Sequence, residues 1–346
     1  MNQTKRLLNT LYVTTQGSYL AREGETVAVR VEQETRLRVP LHTLASIVCF
    51  GRVSASPPLM QLCGERQVAL SFLSEHGRFL GRVEGPLTGN VLLRREQYRR
   101  ADDEEASAEI ARAVVAAKVA NCRTVLLRAM RDHEATVDAA ELDGAAWRLA
   151  RVLRRVTEPL PLSEVRGCEG EAAHAYFGVL DHLLVAQKEE FFFTQRSRRP
   201  PLDPLNALLS FIYTLLAHDV SAALSAVGLD PAVGFLHRDR SGRPSLALDL
   251  MEEMRPFLGD RLVLSLINRQ QVRGRGFRRT ETGAVQMDDE TRKTVLVAYQ
   301  KRKSEELQHP FLDEKIAVGL LPHAQAMLLA RHLRGDLDGY PPFIWK

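Results

Sequence analysis

The sequence predicts an α+β protein: a small N-terminal β-rich, sandwich-like domain over residues 1–86, a linker over 87–102, and a larger all-α domain over 103–346. Three observations predict it. Apolar residues alternate with period two in Val27-Ala28-Val29-Arg30-Val31-Glu32 and in Leu37-Arg38-Val39, as in half-buried strands. The cluster Gly85-Pro86-Leu87-Thr88-Gly89-Asn90 then punctuates the chain. Beyond it Val115, Val119, Cys122, Leu126 and Ala129 recur at intervals of four and three, the stripe of a long helix from about Asp103 to Arg131.

In the N-terminal part, Gly24-Glu25 and Gln33-Glu34 read as turns between strands. Ile47–Phe50, Val68–Leu73 and Phe79–Val83 add further strands, and Pro57–Gln67 suits one short helix. Nothing catalytic stands out here; His76, between Glu75 and Gly77, reads as a turn residue in water.

In the helical part, Arg94, Arg95, Arg99 and Arg100 precede the first long helix, as a solvated face or as phosphate contacts. Asp203-Pro204 reads as the N-cap and first-turn proline of a second strong helix, which Gly228 closes. Its Leu205, Leu208, Leu209, Ile212, Leu215 and Leu216 are too apolar for the surface, so it is expected at the centre. Upstream lies the basic extended stretch Arg196-Ser197-Arg198-Arg199-Pro200-Pro201. Downstream, Arg269, Arg273, Arg275, Arg278 and Arg279 fall within eleven residues that contain no acid, with Gly274 and Gly276 for flexibility and Phe277 as a stacking surface. Such a run is either a solvated loop or a phosphate-binding one, since Arg binds phosphate oxygens bidentately. The aromatic stretch Tyr340–Trp345 suits a packed segment or a docking one.

Composition narrows the classes. With 45% hydrophobic and 26% charged residues and a formal charge of +4, the chain is ordinary globular protein, and the mild basicity permits nucleic-acid binding without demanding it. Distribution says more than the total: residues 1–100 hold 14 Lys and Arg against 8 Asp and Glu. Cys49, Cys63, Cys122 and Cys168 have no C-x-x-C spacing, which argues against a zinc site and a disulfide framework. A reduced, cytoplasmic compartment is expected. No apolar run follows the basic start, so no secretory signal is expected, and the longest apolar run, Ala207–Ala217, is too short to span a bilayer.

The candidate chemistry lies between Val165 and Glu252. If Ser163 begins a helix, Glu169 shares a face with Ala172, Ala173 and Tyr176, where a carboxylate is costly unless paired or bound to metal. Ser245 reads as the N-cap of another helix, ended by Pro256, from one side of which Asp249 and Glu252 project. His237 precedes the turn Asp239-Arg240-Ser241-Gly242-Arg243-Pro244, which folds that helix back toward it. Two carboxylates and an imidazole from three places suit a hard divalent ion, Mg²⁺ or Mn²⁺, better than zinc. Taken singly, each residue also has an ordinary explanation: a paired surface Glu, a core His, an exposed acidic face.

Longer segments carry a resemblance. Leu7–Gly17 (LLNTLYVTTQG), Ser46–Val53 (SIVCFGRV), Phe72–Gly81 (FLSEHGRFLG), GCEGEAAHAYF, DPLNALLSFIYTLL, GFLHRDRSGRPSLALDLMEEMRP and RGDLDGYPPFIWK stand in one order along the chain. It resembles the metal-dependent nuclease and integrase of CRISPR adaptation, and within it the subtype I-C branch. The resemblance implies metal ligands at Glu169, His237 and Glu252, with Asp249 an adjacent acidic member of the site. Some branches carry Asp where this chain has Glu252. It further implies insertion of a short DNA into a CRISPR array by two transesterifications, double-stranded DNA as substrate, a homodimer whose N-terminal domain dimerises and contacts DNA, and a small partner subunit bridging two such dimers. Arg196, Arg198, Arg199, Arg273, Arg275, Arg278 and Arg279 are the expected DNA contacts. The rival expectation is a non-catalytic DNA-binding scaffold with a structural acidic cluster.

Overall fold

The computed structural model describes residues 9–66, 68–75, 79–83, 85, 91–132 and 137–345. Leu7, Leu8, Gln67, His76 and residues 86–90, to which expectations attach, lie outside them. The chain divides into two compact units, residues 1–89 and 90–346.

The first unit has two four-stranded sheets. One is the meander β2 (Tyr19–Glu23), β3 (Thr26–Val31) and β4 (Glu34–Pro40), with β6 (Ser54–Ala55) parallel to β2. The other has the order β1 (Asn9–Val13), β5 (Leu44–Phe50), β7 (Ala69–Leu73), β8 (Phe79–Val83). In it β1, β5 and β7 run parallel and β8 antiparallel. Parallel neighbours need crossovers, and the first sheet and helix α1 (Pro57–Glu65) fill them. Leu20, Val27 and Val29 of one sheet share a single core with Ile47, Cys49 and Leu70 of the other and with Leu59 and Leu62 of α1, as a sandwich does. The basic residues are partly spent inside the unit: Glu23 takes both Arg30 (2.9 Å) and Arg38 (2.7 Å), and Arg66 pairs with Glu25 (2.9 Å).

The second unit is helical, with two short hairpins that the sequence reading lacks. Residues 91–102, expected as linker, instead form helix α2 (Val91–Asp102). Its buried Gln97 donates to the carbonyls of Asp230 and Val233 and accepts from Asp230 N, so α2 grips the loop that leads to His237. Helices α3 (Glu104–Asp132), α4 (Ala139–Val156) and α5 (Leu162–Phe177) pack together. Val115, Val119, Cys122 and Leu126 are buried as their spacing predicts.

Helix α6 (Pro204–Ala226) starts as read, with the Asp203 side chain accepting from Asn206 N at 2.7 Å. At 23 residues it is long and apolar enough to cross a membrane, contrary to the shorter run read from the sequence, but two-thirds of its apolar window is buried inside the protein. Helix α7 (Ser245–Met251) differs from expectation at both ends. Ser245 is its first residue rather than its cap, and its hydroxyl reaches back to Arg238 O. Pro256 does not end the helical path; it lies in a π-helical turn, Arg255–Asp260, that runs into α8 (Arg261–Asn268). The wider turn tolerates proline's missing N–H and is a frequent companion of functional sites.

Only the end of the basic run is a strand: Gly274–Gly276 form a 3-10 turn, and Phe277–Arg279 (β9) pair with Val285–Met287 (β10) in a hairpin. Its glycines serve close approach: a Cβ on Gly276 would lie 2.0 Å from Thr291 Oγ1, and one on Gly274 2.8 Å from the Glu190 carboxyl. Helix α9 (Asp289–Ser304), the hairpin β11 (Glu306–Gln308) and β12 (Lys315–Ala317), and α10 (Leu321–Leu333) complete the unit. The four cysteines are buried core residues.

Candidate metal and DNA site

Helix α5 forms over the residues anticipated and sets Glu169 beside buried Ala172 and Tyr176. Its carboxylate meets the ammonium of Lys118, which projects from α3. The same Nζ lies 2.7 Å from Oε2 of Glu252, the residue that caps α7. Arg255 NH1 binds the other Glu252 oxygen at 2.6 Å. Lys118 and Glu252 are almost wholly buried, at 5% and 1% exposure. A buried charge persists only with close partners, and here two carboxylates and two cations supply them.

The electrostatics follow from that arrangement. Burial favours the neutral Glu252 carboxyl, but Arg255, Lys118 and His237 outweigh it and hold its pKa down at about 2. Burial likewise opposes the Lys118 ammonium, yet Glu252 and Glu169 raise its pKa above the ordinary lysine value. Glu252 Oε2 stands 2.7 Å from the Lys118 ammonium and Oε1 2.6 Å from Arg255, so each oxygen of the ionised carboxylate faces a cation.

Asp249 and His237 form the second half of the site. Asp249 is buried, and its Oδ2 accepts from Phe235 N (2.6 Å) and Leu236 N (2.9 Å) while Oδ1 accepts from His237 N (2.9 Å) and faces His237 Nδ1 (2.6 Å). Gly234 permits this closeness, since a Cβ there would lie 2.7 Å from Asp249 Oδ2. With Nδ1 directed at a carboxylate, the ring carries its proton there and offers Nε2 as a lone pair. Asp249 is therefore an orienting carboxylate whose own oxygens are taken. Arg166 of α5 fixes the loop from the other side, donating to Leu236 O at 2.7 Å.

The four residues read from the sequence thus fall into two linked pairs: Glu169 with Glu252 through Lys118, and His237 with Asp249. Among the described residues, no group of three or more His, Cys, Asp and Glu side chains is gathered as a formed metal cage. The donor chemistry nevertheless suits a hard ion: two carboxylates already gathered about one cationic group, and an imidazole with a carboxylate behind it. Sequence reading missed Lys118 and Arg255. The signal for Lys118 was available, as a lone cation in Ala116-Ala117-Lys118-Val119-Ala120, three residues after Val115 and four before Cys122 on the buried stripe.

The arginines separate. Arg196 is locked in place: NH1 donates to Asn206 Oδ1 (2.6 Å) and Ser197 O (2.5 Å), NH2 to Ser210 Oγ (3.1 Å), and the guanidinium lies over the Tyr213 ring. Arg198, Arg199, Arg273, Arg275, Arg278 and Arg279 are exposed. Phe277 is not a free stacking surface, because its ring packs edge-on against Phe191 at 5.6 Å.

A family model described as CRISPR associated protein Cas1 matches residues 11–301. The chain is 56% identical over 342 residues to CRISPR-associated endonuclease Cas1 1 of Chlorobaculum tepidum, covering 99% of this chain and 100% of that one. A solved CAS1 protein from Thermotoga maritima superposes with a TM-score of 0.80 at 25% identity, covering 95% of this chain and 97% of that one. A casposase bound to its integration product superposes at 0.82 with 21% identity, covering 98% and 95%, a likeness of fold alone.

Proposed function

The chain belongs to the Cas1 family of CRISPR-associated proteins and is an endonuclease and integrase of CRISPR adaptation, and we propose that it works through a Mg²⁺ or Mn²⁺ ion held by Glu169, His237 and Glu252. The observation that carries this reading is the Lys118 ammonium drawn between Glu169 and Glu252, beside an imidazole that Asp249 orients. When bound, the ion supplies Lewis acidity to a phosphodiester under in-line attack by a DNA 3′-hydroxyl or by water.

The chain's own residues prepare that chemistry. Asp249 keeps the His237 proton on Nδ1 and the ring in one orientation. Arg255 and Lys118 keep Glu252 ionised at any physiological pH. Lys118 also holds the two carboxylates together against their mutual repulsion. The exposed Arg273, Arg275, Arg278 and Arg279, with Arg198 and Arg199, offer phosphate contacts on duplex DNA, the spacer precursor and the CRISPR array. Arg196, engaged by Asn206 and Ser210, shapes that segment rather than binding DNA.

The remaining assignments are a homodimer formed through the first unit, a small partner subunit bridging two dimers, a subtype I-C system and a cytoplasmic location. They rest on the resemblance carried by the segments quoted above. The test is a divalent-metal-dependent assay that joins a labelled duplex to an array, with and without the partner subunit. Joining by the unaltered protein, and its loss in Glu169→Gln, His237→Ala and Glu252→Gln with DNA binding retained, is expected. Full joining by any of the three would remove that residue from the ligand set, and binding without joining by the unaltered protein would favour a scaffold.

A further inference from the structure

We propose that the segment Tyr340–Trp345 is a strap that positions Glu252, making Tyr340, Phe343 and Trp345 positioning residues for the reaction; this rests on the metal assignment above. Glu252 and Glu253 are consecutive, and their carboxylates serve opposite sides. Glu252 meets Lys118 and Arg255. Glu253 accepts from Tyr340 Oη (2.6 Å), Phe343 N (2.7 Å) and Gln325 Nε2 (2.9 Å). A fully buried carboxyl group with three donors, and among the described residues no ion-pair partner, is an anchor point, not a spare ligand.

The same division recurs on α3. Lys118 faces the site, and Asn121, three residues on, faces the strap. Its Nδ2 donates to Glu253 O (2.7 Å) and Phe343 O (2.9 Å), and its Oδ1 accepts from Trp345 N (2.8 Å). Both members of the Lys118–Glu252 pair therefore have the strap bonded to their own backbone neighbourhood, one residue away on one side and three on the other.

Ring contacts close the arrangement from behind. The Trp345 ring lies between Arg128 of α3 (3.9 Å) and Arg261 of α8 (4.5 Å). Phe343 packs on Phe257 of the π-helical turn at 5.3 Å. The strap thus binds α3, which carries Lys118, the turn that follows Glu252 and carries Arg255, and α8, into which that turn runs. Groups behind a ligand commonly govern metal affinity by 10-fold to 100-fold, about what a shifted carboxylate costs.

The test compares full-length Trp345→Ala, Trp345→Phe and Tyr340→Phe with the unaltered protein, using Mn²⁺ as probe. Free Mn²⁺ is titrated by its paramagnetic resonance signal, and thermal melting is followed without metal. Mn²⁺ binding about 10-fold weaker in Trp345→Ala is expected, with strand joining restored at higher Mn²⁺ and affinity restored in Trp345→Phe, whose ring still covers a guanidinium. Mn²⁺ affinity unchanged while the melting temperature falls would overturn the inference, leaving the strap a packing element. Should Trp345→Ala not fold, Tyr340→Phe, which removes one hydroxyl from Glu253, decides by the same two readouts. If the unaltered protein binds no Mn²⁺ that Glu252→Gln abolishes, the metal assignment itself fails, and the inference with it.

Discussion

Lys118 Nζ stands 2.7 Å from Glu252 Oε2 in a setting where neither residue is more than 5% exposed, and the same ammonium contacts Glu169. One buried cation therefore bridges two carboxylates, one from α5 and one from the end of α7, and Arg255 supplies the second positive charge.

Removing that cation leaves Glu252 with Arg255 alone. Lys118→Met is expected to destabilise the fold by about 3–5 kcal/mol, the usual consequence of breaking a buried pair from one side. Denaturant unfolding at neutral pH measures it. A loss below about 1 kcal/mol would mean the pair behaves as a surface one.

Asp249 holds His237 by both its backbone N–H and its ring Nδ1. Asp249→Asn keeps the shape but cannot accept from all three backbone N–H groups and the ring nitrogen together. Metal-dependent strand joining is expected to fall about 10-fold to 100-fold, with the half-saturating Mn²⁺ concentration raised. Unchanged metal dependence would show that the orientation of His237 does not matter.

Stability should depend on pH through Glu253. Burial, working against the Tyr340, Phe343 and Gln325 donors, pushes its pKa up from 4.5 to about 8. Between those values the folded protein binds more protons than the unfolded chain, so stability falls as pH rises from 4.5 to 8. Glu252, held at about 2, acts in the opposite sense and at lower pH: its contribution is present above 4.5 and lost as pH falls toward 2. Glu253→Gln should flatten the slope between pH 6 and 7.5 by up to one proton, about 1.4 kcal/mol per pH unit. An unaltered slope would exclude Glu253 as its source.

The basic segment Arg273–Arg279, which ends in β9, should carry part of the DNA affinity. Replacing Arg273, Arg275, Arg278 and Arg279 with Ala should weaken duplex binding and reduce the salt slope by roughly 3 to 4, near one per phosphate contact. Equal affinity and slope across a salt series would take the segment off the DNA path.

The sequence makes the larger divisions legible because they depend on local periodicity: period two in Val27–Glu32, three and four in Val115–Leu126, and the Asp203-Pro204 start of α6. It is weaker where tertiary contacts decide. The parallel pairing of β1 with β5 joins residues some thirty-five positions apart, which no local pattern encodes. Gly274 and Gly276 suggested flexibility, yet their role is the close approach of Glu190 and Thr291. Pro256 suggested a helix end, and a π-helical turn absorbs it.

The site shows the same limit. Glu169, His237 and Glu252 stand out as charges in apolar settings; of the partners that make those charges tolerable, Lys118 is marked only by its place on an apolar stripe, and Arg255 looks like an ordinary member of a turn. Asp249 and Glu253 resemble further ligands by type and spacing. Only their bonds to the 235–237 backbone and to the Tyr340–Trp345 strap separate them from the ligand set.

The most direct measurement is anomalous X-ray scattering at the manganese edge from crystals of the protein soaked in Mn²⁺. A single strong peak in contact with the Glu169 and Glu252 carboxylates and with Nε2 of His237, absent in Glu252→Gln, is expected. Manganese bound elsewhere, with Lys118 still joining the two carboxylates, would contradict the assignment.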